Sequence, residues 1–125
     1  MAVLDINAIA SKGEQVLQEF VTKMGLEGAL VASSEGLEIA HYFVADLDND
    51  ILAAGSAAVL SSIEGFLADA KKGQLQEIIA KAENGYVAIM ALGGDVALAV
   101  LAPANQKLGV LTIAMRQLAK KLQSL

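Results

Sequence analysis

The segment from Leu75 to Leu101 constrains the fold most, because two turn dipeptides, Asn84-Gly85 and Gly93-Gly94, cut it into strand-length pieces. Asn-Gly is the strongest short-range hairpin signal, since both residues tolerate the positive φ that matches the twist of the flanking strands. The cuts predict three strands, Leu75 to Ala82, Tyr86 to Leu92 and Val96 to Leu101. The last two are nearly all apolar, which places them centrally in a sheet with both faces covered. Pro103, the only proline, ends the fifth strand of the chain.

The remaining elements follow from periodicity. Ile6, Ile9, Val16, Leu17, Phe20, Val21 and Met24 recur at helical spacing and predict an amphipathic helix over 6–24. Asp5 or Asn7 is placed to cap its start, and Gly25 to end it. Gly28 to Ser33 and Leu37 to Tyr42 read as two strands joined by a tight turn at Ser34-Glu35-Gly36. A long helix is predicted from about Ile51 to Lys72, with Gly73 breaking it. A last helix spans Leu108 to Leu122, with Lys120 and Lys121 near the negative end of its dipole. The predicted order is α-β-β-α-β-β-β-α, in one domain over residues 1–125.

The middle helix carries the most information. On a wheel at 100° per residue, Leu52, Val59, Leu60, Ile63, Phe66 and Leu67 form a broad apolar face expected to cover the chain's own sheet. Ala54, Ala57, Ala58, Ser61, Gly65 and Ala68 occupy the opposite face, where a solvated helix carries Lys and Glu. Small residues allow two helix backbones to approach closely. The other helices need their single apolar faces for the sheet, so the expected neighbour is the same helix of a second copy, across a two-fold axis. The third strand, with Leu75, Ile78 and Ile79, is expected to be a sheet edge that pairs with its symmetry mate, because an unpaired edge of that apolarity invites aggregation.

Composition and motifs exclude several functions. The net charge of −5 and the scarcity of aromatics disfavour a nucleic-acid partner. Cysteine is absent, which rules out disulfides and Cys-ligated metal sites. The longest uncharged stretch, Ile51 to Ile63, is interrupted by Gly and Ser and is short of the roughly 20 residues of a spanning helix. No transmembrane segment is expected. The N-terminus lacks a basic region followed by a long apolar run, so no secretory signal is expected either, and the default location is cytoplasmic.

No G-x-x-x-x-G-K-[ST] and no G-x-S-x-G is present. Asp46-x-Asp48-x-Asp50 matches the opening of an EF-hand, but Ile51 and Ala57 stand where that loop needs Gly and Glu, so a helix cap is the better reading. His41, the only histidine, has no triad or metal constellation and reads as structural or edge-placed. Arg116, the only arginine, reads as solvated. No catalytic residue, metal or cofactor is expected.

The element order, together with Ala32-Ser33-Ser34-Glu35-Gly36-Leu37-Glu38-Ile39-Ala40, Asp50 followed by Ala53-Ala54 and Ser56-Ala57-Ala58, and Asn84-Gly85-Tyr86, Asp95-x-Ala97-Leu98 and Lys107-Leu108-Gly109, resembles the Roadblock/dynein-light-chain family. The resemblance implies a Roadblock/profilin-like α/β (α+β) fold: a five-stranded antiparallel sheet with the central helix on one face and both terminal helices on the other. It implies a homodimer through the central helix and third strand. It also implies association with a small Ras-like GTPase, as platform or regulator. The expected contact surface is the solvent side of the paired central helices, including Ser62, Asp69 and Lys72. A small-molecule or signal-sensing module and a purely structural adaptor remain as alternatives.

Overall fold

In the computed structural model, which describes residues 4–125, eight elements follow in order. They are α1 (Ile6–Met24), β1 (Gly28–Ala32), β2 (Glu38–Phe43), α2 (Asn49–Asp69), β3 (Ile78–Ala82), β4 (Gly85–Gly93), β5 (Val96–Pro103) and α3 (Leu108–Gln123). The reading of Met1–Val3 as part of the N-terminus lies outside the described residues. The strands form one antiparallel sheet in the order β2-β1-β5-β4-β3. β5 is central, as its apolarity predicts. β4 lies one strand from the edge, and several of its residues are only half-buried.

Both faces of the sheet are covered, by different means. α1 and α3 bury Ile9, Leu17, Val21, Leu111, Met115 and Leu122 against one face. α1 approaches closely at Gly13, where a β-carbon would lie 3.0 Å from the Ala40 methyl. α2 lies on the other face and touches β1, β2, β4 and β5. The floor beneath it is built of small residues, Ala32, Ala97 and Ala99, with Leu30 and Ile89.

Local chemistry fixes the helix ends. Asp5 accepts from the Ala8 amide at 3.0 Å, and Gly25 takes a left-handed φ of 66°. Asp48 Oδ1 accepts from the amides of Asp50 and Ile51, both at 3.1 Å, so the acidic loop is a helix cap that starts α2 earlier than its hydropathy suggests. The predicted C-terminus at Lys72 is also corrected. Lys71 takes a left-handed φ of 58°, and the amides of Lys71 and Lys72 turn back to the carbonyls of Ala68 and Leu67. This double bond closes the helix before Gly73 is reached.

The third strand begins at Ile78, not Leu75. Ile78 pairs with Ile89 at the start of the β3–β4 ladder, and the later part of β4, from Met90 to Gly93, has no β3 partner. Leu75 instead packs under α2 in the smaller core. The β3–β4 hairpin forms as predicted, but its two loop residues are Glu83 and Asn84, since Ala82 pairs with Gly85. Gly85 has a φ of 149° and presses on β5: a β-carbon there would lie 2.3 Å from the Ala102 carbonyl oxygen.

Candidate interaction site

The helix wheel was expected to place the bulky residues of α2 inward and the small ones outward. The structure rotates that pattern. Ala53, Ser56, Ala57 and Leu60 are the buried residues, with Leu52 partly buried beside them. Ser56 satisfies its hydroxyl by donating to the Leu52 carbonyl at 2.7 Å. Ala57, expected at an interface, is only 8 % exposed and faces the sheet. Val59 and Phe66, expected to cover the sheet, are 41 % and 68 % exposed. The reason is steric: a helix seated over an alanine floor packs best with small residues beneath it.

The outward face therefore comprises Ile51, Gly55, Ala58, Ser62, Gly65 and Asp69, at helical spacing and all exposed. Ala54, Ser61 and Ala68 flank it on one side, and Val59 and Phe66 on the other. Between Asp50 and Asp69 the only charge on the helix is Glu64, which is half-buried. By length and composition alone α2 is apolar enough to cross a membrane, despite the Gly and Ser that interrupt it. Here its inner face is seated on the sheet.

The two flanks look in different directions. Ala54 sits over Gly36 in the β1–β2 turn, where a β-carbon would lie 3.1 Å from its Cα. Ala68 borders a groove with Gly93 and Gly94 of the β4–β5 hairpin. Those turns are at one end of the sheet, so the Val59 and Phe66 flank faces the other. There the strand register aligns Phe43, Gly28, Leu101, Val87 and Ala80 in one row. Phe43, Leu101 and Val87 are half-buried and Ala80 is exposed. Helix flank and row together make an apolar shelf that α2 itself leaves partly open. It extends to β3, whose outer edge has no strand partner among the described residues. Ile78 lies on the α2 face of that edge, and Ile79, 36 % exposed, on the opposite face.

The other candidates take ordinary places. Arg116 Nη2 lies 3.5 Å from both carboxylate oxygens of Glu77, a loose surface pair. Ser62 and Asp69 lie on the outward face of α2, while Lys72 lies past the helix end. His41 stands on the edge strand β2 and contacts Glu38 at 2.5 Å. Residues three apart on a regular strand point to opposite faces, but the register slips at Ile39: Val31 pairs with Ala40 and Ala32 with Glu38. That bulge returns Glu38 to the α2 face beside His41. Among the described residues no three His, Asp or Glu side chains converge as a metal site. The groove at the end of α2, about 810 Å³, is lined by Glu64, Lys71, Gln74, Leu75 and the hairpin glycines.

A charge asymmetry went unread in the sequence. No Lys or Arg lies between Lys23 and Lys71, so β1, β2 and α2 carry only carboxylates and the single His41 as charged groups. The cations lie on α1 and α3, at the start of α3, on β3 and just past α2.

Comparison with known proteins places this geometry. The chain is 28 % identical over 112 residues to the uncharacterized protein MJ1340 of Methanocaldococcus jannaschii, covering 90 % of this chain and 97 % of that protein. Its fold superposes on MglB of Myxococcus xanthus with a TM-score of 0.84 at 14 % identity, covering 92 % of this chain and 87 % of that one. It also superposes on an MglB structure with a tetrameric arrangement, with a TM-score of 0.83 at 20 % identity, covering 98 % and 93 %. The family model for the Roadblock/LC7 domain matches residues 12–102, from within α1 to the end of the sheet, and the chain thus belongs to the Roadblock/LC7 family.

Proposed function

We propose that the protein is a non-catalytic homodimeric platform whose joined α2 faces dock a small Ras-like GTPase. The observation that carries the reading is the outward surface of α2, four to five helical turns exposed and nearly free of charge. A solvated helix does not present such a surface without a partner. Two-fold packing of α2 against its mate, with β3 paired edge to edge, covers the shelf and both open β3 edges at once. The tetrameric MglB neighbour supports self-association in general. The GTPase partner follows from what Roadblock membership implies, and a nucleotide-hydrolysing role of the chain's own has no P-loop to support it. The groove at the end of α2 is open to solvent, which favours a docking surface over an enclosed ligand sensor.

The interface assigned to this dimer is Ala54, Ala58, Ser61, Gly65 and Ala68 with Val59, Phe66, Ile78 and Ile79. Ser62 and Asp69 border the GTPase-facing surface. The test is Ala58→Glu, which sets an unpaired carboxylate in a close helix contact. Light scattering should show a dimer for the wild type and a monomer for the variant. Titration with candidate GTPases in both nucleotide states should show binding to the wild type only. A monomeric wild type at micromolar concentration, or equal affinity of both forms for a GTPase, overturns the composite platform.

A further inference from the structure

We propose that the free edge of β2 is a second docking site, separate from the α2 face, which takes an extended cationic and apolar polypeptide segment as a sixth strand. β2 ends the sheet opposite β3, and among the described residues it pairs only with β1. The Val44 amide donates to the Glu27 carbonyl at 2.9 Å. Bonded and non-bonded pairs alternate along an antiparallel ladder, so the inward bonds of β2 belong to Tyr42 and Ala40. The amides and carbonyls of His41 and Phe43 point away from β1. They are four backbone groups ready to pair with an added strand.

Native edges are guarded by Lys, Pro or a bulge. β3 carries Lys81. β2 has neither Lys nor Pro, and its one guard, the bulge at Ile39, sits at its start and leaves His41 to Phe43 regular. Large apolar side chains bracket the strand. Leu37 and Val44 are each 67 % exposed, and Leu47 is 42 % exposed. The charge on the strand and its flanking loops has one sign: Glu35 precedes the strand, Glu38 lies in it, and Asp46 and Asp48 follow. All of these except Glu38 are exposed, and the strand and its loops carry no cation, although α1, seated on this strand at Gly13, carries Lys12. The two faces of β2 also differ. Glu38, His41 and Phe43 lie on the α2 side, and Ile39, Ala40 and Tyr42 on the α1 side. An incoming strand that alternates Lys or Arg with β-branched residues meets both, with cations beside Glu38 and the aromatic rings, and apolar groups beside Tyr42.

The site does not depend on the dimer, since pairing through β3 leaves both β2 edges free. The probe is an octapeptide of alternating Val and Lys, titrated into ¹⁵N-labelled protein, with alternating Val and Glu as control. The Val-Lys peptide should bind at least about tenfold more tightly than the acidic one, and Glu38→Lys should weaken it about tenfold, as loss and reversal of an edge charge imply. Amide exchange should slow at His41 and Phe43 and stay unchanged along β3. No binding at millimolar peptide, equal binding of the acidic control, or protection at β3 instead of His41 and Phe43 overturns the proposal.

Discussion

Phe66 offers the sharpest test of how the α2 face is used. It is 68 % exposed, on the flank that overhangs the apolar shelf. A phenylalanine has roughly 200 Å² to bury, so the exposed part offers about 140 Å². At about 25 cal/mol per Å² that is ~3.5 kcal/mol for each copy. Two-fold symmetry places two copies in one dimer, about 7 kcal/mol in gross terms. Ordering the ring and imperfect fit remove a good share, leaving ~3–5 kcal/mol of net effect. Phe66→Ser should therefore raise the dimer Kd by roughly a hundredfold to several thousandfold. Sedimentation equilibrium over a wide concentration range reads this directly. The monomer itself loses little, because the ring contributes little to its core, so circular dichroism of dilute variant should remain that of a folded chain. A Phe66→Ser protein that dimerises within threefold of wild type would refute the reasoning and move the contact off this flank.

Other substitutions test the local physics. Gly85→Ala should destabilise the fold by more than about 2 kcal/mol in urea melts, because the clash is with a backbone oxygen that has no rotamer to change. Lys71→Gly should stabilise it by about 0.5–1 kcal/mol, since Lys71 holds a left-handed position that glycine adopts freely; an unchanged melting midpoint contradicts this. Hydrogen bonds from its own backbone amide and from Ser33 and Ser34 hold the Glu35 carboxyl below the usual glutamate range. The ionised form is thus the one the β1–β2 turn favours. Its contribution is present above the ordinary glutamate pKa and lost as pH falls through the lowered folded value. Carbon-detected NMR titration should place the Glu35 midpoint below the ordinary glutamate value.

Much of the fold is legible in the sequence because its signals are local. Asp5, Gly25, Gly36 and Pro103 each end or start an element where predicted, and α1 and α3 have clear apolar stripes. The phase of α2 was not legible, since a helix apolar nearly all round gives no contrast from which to choose its inner face. That choice is made by the alanine floor of the sheet, brought together from β1 and β5. The start of β3 was not legible either: Leu75 is as apolar as Ile78, and only the register with Ile89 decides where pairing begins. The outward surface of α2 was recognisable from its missing charges, although Ala57 proved to face inward and Phe66 outward. The meeting of His41 with Glu38 was hidden, because it depends on a bulge that neither residue signals.

That bulge gives the chain a tolerance to length change at one position. Ile39 is the extra residue of β2: on either side of it, every side chain already faces as it would in a strand one residue shorter. Deleting Ile39 would leave Glu38 opposite Ala32 and Ala40 opposite Val31, with both faces of the sheet intact. Deleting any neighbour in the regular part of the strand would instead turn a buried face outward. Relatives that differ in length within this hairpin are therefore expected to gain or lose their residue here, while the core and the β2 edge keep their pattern.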